Sequence, residues 1–152
     1  MQLLNVAGGM VLMFLSGPAL AYDCAISGTP LNFGSVEGIA GRIQQSTATL
    51  TVVCRTGNTP ANVSYQILMV GPAGDAQRQM SAGEHITGYQ LYTSGSYQQV
   101  WSNTGDGIIS DSYSLGANAT VTRNYTVYAK MKTDRAASPG TYTANLAVQL
   151  VY

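Results

Sequence analysis

Thr47-Ala48-Thr49-Leu50-Thr51-Val52-Val53-Cys54 decides how this chain is read: Ala48, Leu50, Val52 and Cys54 fall on one side, Thr47, Thr49 and Thr51 on the other. A period of two sends successive side chains to opposite faces, the mark of a strand with one face buried. The pattern recurs. Residues 62–70 place Val63, Tyr65, Ile67 and Met69 on one face and run into the turn-forming Gly71-Pro72-Ala73-Gly74-Asp75. Strands are also predicted over residues 87–93, 98–102 and 120–131, the last rich in Val, Tyr and Thr. The final run, residues 141–152, sets Ala144, Leu146, Val148, Leu150 and Tyr152 on one face. After residue 21 no dozen-residue window has helical amphipathicity, and no repeat, charge block or long linker divides the chain. The expectation is an all-β sandwich rather than a parallel sheet.

Composition removes several functions. The 152 residues carry 7 Lys+Arg against 7 Asp+Glu, only 9% charged residues, one His and two Cys. An ordinary soluble domain has about a quarter of its residues charged. A net charge of zero offers no footprint for nucleic acid or acidic lipid. Two cysteines and one histidine fall short of a four-ligand zinc site, and no cofactor is expected.

Residues 6–15 are apolar, Ser16-Gly17-Pro18 breaks the run, and Ala19-Leu20-Ala21 supplies the small residues a signal peptidase reads. Residues 1–21 therefore read as a secretory leader, too short to span a membrane at about 20 apolar residues. Residues 22–152 then read as one exported domain, with no membrane insertion of the mature chain. In an oxidising compartment Cys24 and Cys54 are expected to cross-link, which stabilises the fold by about 3 to 4 kcal/mol in the chain-entropy picture.

Several segments together resemble a known family. They are Cys24 followed by Leu31-Asn32-Phe33-Gly34, the strand Leu50-Thr51-Val52-Val53-Cys54, Arg78-Gln79-Met80, and Tyr89-Gln90-Leu91-Tyr92-Thr93 with Trp101 behind it. Tyr125-Thr126-Val127-Tyr128-Ala129-Lys130 and the tail from Pro139-Gly140-Thr141-Tyr142-Thr143 to Leu150-Val151-Tyr152 complete the set. In this order they resemble the spore coat protein U domain, shared with subunits of archaic chaperone–usher pili. The resemblance implies an immunoglobulin-like, pilin-type sandwich lacking its last strand. Its implied partners are a periplasmic chaperone, an outer-membrane usher and neighbouring subunits. Its implied mechanism is strand addition at an open edge, in support of adhesion and biofilm. Leu146, Val148, Leu150 and Tyr152 would then line the acceptor groove. Only Tyr22 and Asp23 separate the predicted cleavage point from Cys24. That is too short for a donor strand at about 3.3 Å per residue, and it points to a tip or non-donating subunit. A self-contained secreted coat or binding module is the competing expectation.

The remaining signals are weaker. His85 with Asp106 or Asp111 lacks a nucleophile elbow, so an enzyme is not expected. Asp106 and Asp111, in a Gly/Ser/Asn-rich stretch over residues 102–119, lack a calcium-loop series. Tyr97 and Trp101 are candidate adhesive aromatics, since rings stack on sugars and apolar material. Arg78 reads as a loop pin bonded to backbone carbonyls or to a carboxylate. Lys130, Lys132 and Arg135 read as solvated strand-end charges.

Overall fold

The computed structural model describes residues 21–36, 43–70, 78–132 and 138–152. All but the last residue of the predicted leader, the turn at 71–75, Arg135 and the side chain of Lys132 lie outside the described residues.

The alternating stretch that opens the sequence reading forms the spine. β3 (Gln45–Thr56) pairs antiparallel with β8 (Thr120–Lys132), Leu50 opposite Tyr125 and Cys54 opposite Val121. Ala48, Leu50, Val52 and Cys54 from β3, with Val127, Ala129 and Met131 from β8, all turn inward and are buried. β1 (Tyr22–Gly28) lies outside β3. β6 (His85–Tyr92) and then β5 (Arg78–Ala82) lie beyond β8, giving the order β1-β3-β8-β6-β5.

The second layer holds a three-stranded sheet, with β4 (Ala61–Met69) between β7 (Ile109–Leu115) and β10 (Val148–Val151). A separate two-stranded ribbon of β2 (Leu31–Val36) and β9 (Gly140–Ala144) sets β9 against β5 and β2 against β3. One apolar cluster joins the layers and includes Tyr65, Ile67 and Met69 of β4 together with Leu50 and Val52 of β3. The result is an all-β fold of curled antiparallel sheets consistent with an immunoglobulin-like sandwich. Within the ribbon the register shifts between Asn32 and Gly34, where Gly34 has a φ of 69°. That bulge re-phases the strand, so that Val36 rather than Ser35 is buried after Leu31 and Phe33.

The structure differs from the sequence reading in three places. Residues 98–102 form no strand; Val100 makes one isolated bridge to Tyr92, and the chain turns through a short 3-10 turn (Gly105–Gly107). β7 occupies part of the stretch read as Gly/Ser/Asn-rich; its outward serines disguised the inward Ile109, Asp111, Tyr113 and Leu115. The final run, predicted as one strand, is two. β9 pairs with β2 and β10 with β4, and the chain changes partner across Asn145, Leu146 and Ala147.

Candidate functional site: the cleft between β1 and β10

Among the described residues each sheet ends, on the same side, in a strand with one neighbour: β1 pairs only with β3, and β10 only with β4. The hydrogen-bond phase shows which backbone groups are left. Thr29 N–H donates to the Thr49 carbonyl at 3.0 Å, one step beyond the Gly28–Leu50 pair. In an antiparallel ladder bonded and non-bonded pairs alternate, so Cys24, Ile26 and Gly28 turn their N–H and C=O away from β3. The 4.1 Å Cα separation across the Cys24–Cys54 disulfide agrees, being that of a non-bonded pair. On the other wall Val70 N–H donates to the Ala147 carbonyl at 2.8 Å. By the same alternation Val148 and Leu150 direct their backbone groups away from β4.

Between the two edges lies a cleft of about 360 Å³, lined by Ile26, Gly28 and Pro30 on one side, Asn145, Leu146 and Val148 on the other, with Leu50 at its floor. Ile26, Leu146, Val148 and Leu150 pack on the core yet stay only half-buried. Gly28 keeps the floor open, because a Cβ there would lie 2.7 Å from Leu50 Cδ2.

The opposite end is closed. Tyr152 Oη donates to Asp23 Oδ1 at 2.8 Å, and its ring lies 5.8 Å from that of Tyr22. Tyr22 Oη in turn donates to the Ser64 carbonyl at 2.9 Å, tying β1 to β4. The bond to Asp23 pushes the Tyr152 hydroxyl pKa above its ordinary value. Of the predicted groove residues, then, Leu146 and Val148 line the cleft and Leu150 follows them on the inward face. Tyr152 is no core residue: at 40% exposure it bridges to the first strand. Ile26, Gly28 and Leu50 belong to the same cleft and were not anticipated as site residues.

The other candidates separate. Trp101 is 1% exposed and donates its Nε1–H to the Ile67 carbonyl at 3.1 Å. It is a core residue and presents no ring to a ligand, because that carbonyl gives its one polar atom a buried partner. Tyr97 stays half-exposed on the outer face of the five-stranded sheet, 5.3 Å from the Tyr92 ring centroid. Arg78 is buried and donates from Nη1 to the Val70 carbonyl at 2.8 Å, as expected of a pin; burial lowers its pKa.

Asp111 faces inward rather than into a loop. Its Oδ2 accepts from Tyr125 Oη at 2.6 Å, and the Tyr65 hydroxyl lies 2.5 Å from that of Tyr125. Arg123 Nε stands 3.8 Å from the same carboxylate oxygen. Burial above all, with the nearby Asp111 charge, pushes Tyr65 up to about 12; the hydrogen bond to Tyr125 acts in the opposite sense. The carboxylate is thus committed to a tyrosine network. His85 is exposed at the start of β6 and Asp106 sits in the 3-10 turn, so they form no triad with Asp111. Among the described residues no group of three His, Cys, Asp or Glu side chains is placed to hold a metal ion. No helix among them is long and apolar enough to cross a membrane.

No curated protein matches the chain. The profile of the Spore Coat Protein U domain matches residues 10–149, nearly the whole chain and beginning inside the stretch read as a leader. That family is a structural pilin-type one rather than an enzyme family; its domain occurs in chaperone–usher fimbrial subunits, and its proteins are surface or secreted. With an all-β sandwich, a cross-strand Cys24–Cys54 bond and a match over most of its length, this chain belongs to the spore coat protein U domain family.

Proposed function

We propose that this protein is a structural subunit of a surface appendage of the archaic chaperone–usher type, completed by a strand from another chain. One observation carries the reading: two strand edges unpaired among the described residues, β1 and β10, flank a cleft with half-buried Ile26, Leu146 and Val148 in its walls. Unpaired edges of this kind are an aggregation hazard unless another chain fills them. A strand laid along β10 would meet the backbone groups of Val148 and Leu150, and its alternate side chains would descend toward Leu50. A periplasmic chaperone fills the cleft first, the usher passes the subunit outward, and a neighbouring subunit replaces the chaperone. The assembled fibre serves adhesion and biofilm formation. Cleavage after Ala21 leaves Tyr22 and Asp23, both already inside β1, so the chain accepts a strand without donating one and sits at a tip or terminus.

The test is production of the full chain in the periplasm, with and without an archaic-type chaperone. The proposal expects a one-to-one complex, and a lone chain that is monomeric when dilute but self-associates as its concentration rises; deletion from Leu146 onward abolishes the complex. A lone chain that stays monomeric at high concentration and takes no chaperone would instead support the second reading, a self-contained secreted coat or binding module. That reading draws on the Tyr152–Asp23 and Tyr22–Ser64 bonds, which already join the two edges at one end.

A further inference from the structure

The cleft occupies one flank of the molecule; a different surface carries its most unusual backbone. Tyr92 on β6 and Tyr128 on β8 are opposite one another in register and alternate with the buried Leu91, Val127 and Ala129. Their rings therefore stand on the outer face of the five-stranded sheet, away from the core. The chain after β6 folds back over them, with Thr93 N–H donating to the Gln99 carbonyl at 3.0 Å and Tyr97 N–H to the Ser94 carbonyl at 3.2 Å. Tyr97 is thereby set edge-to-face against both rings, its centroid 5.3 Å from Tyr92 and 6.3 Å from Tyr128. Gly95 permits this approach, because a Cβ there would lie 3.2 Å from the Tyr128 ring.

Tyr97 adopts a φ of 55°, in the left-handed region that a bulky side chain occupies only at a cost. Burial does not explain that cost. The core lies on the other face of the sheet, and the three rings remain half-exposed. What the conformation achieves is an aromatic corner facing solvent.

Among the described side chains one cation completes it. Lys130 Nζ stands 4.7 Å from the centroid of Tyr97, over its ring. Its register neighbours are Gln45 on β3 and Gln90 on β6, and it makes no ion pair among the described residues. An ammonium group on an aromatic surface, flanked by amides and free of any described carboxylate partner, is complementary to a ligand with an apolar ring face, hydroxyls and one negative charge. With 7 Lys+Arg balanced by 7 Asp+Glu, the chain offers no basic track for the phosphates of a nucleic acid.

We infer that the Tyr92–Tyr97–Tyr128 corner binds an acidic polysaccharide. A uronate ring stacks its C–H face on the tyrosines, and its carboxylate meets Lys130. This site is independent of the strand-accepting cleft.

The test uses the full exported chain, in whatever assembly it forms, titrated with oligosaccharides of polygalacturonate and with the same oligosaccharides methyl-esterified. The esters keep the sugar ring and lose the charge. The acid form should bind about tenfold or more tightly than the ester, and its binding should weaken as salt shortens the screening length. Tyr97→Gly removes the ring while suiting the positive φ, and Lys130→Gln removes the charge from an exposed position. Each should weaken acid binding about tenfold while the thermal midpoint is kept. Absence of binding by the unmodified chain, equal binding of acid and ester, or unchanged binding in both variants would each overturn the inference.

Discussion

β8 and β10 carry the same kind of sequence and meet opposite fates. In β8 the alternation places Val127, Ala129 and Met131 inward, and with β3 on one side and β6 on the other each is fully buried. In β10 it places Val148 and Leu150 inward, but among the described residues β4 is its only neighbour and both remain half-exposed. Alternation chooses the face a side chain turns to. Whether that face is covered depends on the next strand, and among the described residues none lies beyond β10.

The sharpest way to break the comparison is to truncate one inward residue from each strand. Met131→Ala should cost about 2 to 5 kcal/mol in urea unfolding, since it leaves a cavity in a closed core. Leu150→Ala should cost the lone chain less than about 1 kcal/mol, because water already reaches that site. Equal losses would mean that β10 is as well covered as β8. Joining β1 to β3 is the next largest contribution. Reducing or replacing the Cys24–Cys54 bond should lower stability by about 3 kcal/mol, read as a shift in the unfolding midpoint with and without reductant.

A smaller effect separates the sealed interior from the open flank by pH. The Tyr65 hydroxyl is raised from 10.0 to about 12 in the folded state, so its contribution is complete below pH 10 and is lost as pH rises toward 12. Unfolding midpoints should fall across that alkaline window, and Tyr65→Phe should flatten the fall. Tyr125→Phe deprives the Asp111 carboxylate of its 2.6 Å donor and should cost about 1 to 3 kcal/mol at neutral pH. The largest effect on partner binding is expected at Gly28→Ala. Its methyl group would press on the buried Leu50 and fill the cleft floor, so complex formation with a chaperone should fail, while overpacking costs the lone chain about 1 to 3 kcal/mol.

Much of the architecture was legible because strands with one buried face advertise it. Val63, Tyr65, Ile67 and Met69 gave β4, and the Tyr-rich run gave β8. β7 was hidden by its outward Ser110, Ser112 and Ser114, although Ile109, Tyr113 and Leu115 kept the period of two around an inward aspartate. The break at residues 145–147 leaves no trace in the pattern. Leu146 stays in phase with Ala144 and Val148 while the backbone changes partner, and a change of partner is a long-range event. The burial of Trp101 is hidden from the sequence for the same reason, since the Ile67 carbonyl that receives its N–H lies 34 residues away. Half of the cleft could be read from the tail, through Leu146 and Val148. The other half depends on β1, whose Ile26 and Gly28 matter only once the two sheets are stacked.

Hydrogen exchange on the exported chain, alone and in complex with an archaic-type chaperone, tests the central claim most directly. The account predicts that the amides of Val148 and Leu150 exchange freely in the lone chain, become protected in the complex, and differ throughout from the steadily protected amides of β8. Protection of Val148 and Leu150 in the lone monomer, unchanged when the chaperone is added, would contradict it.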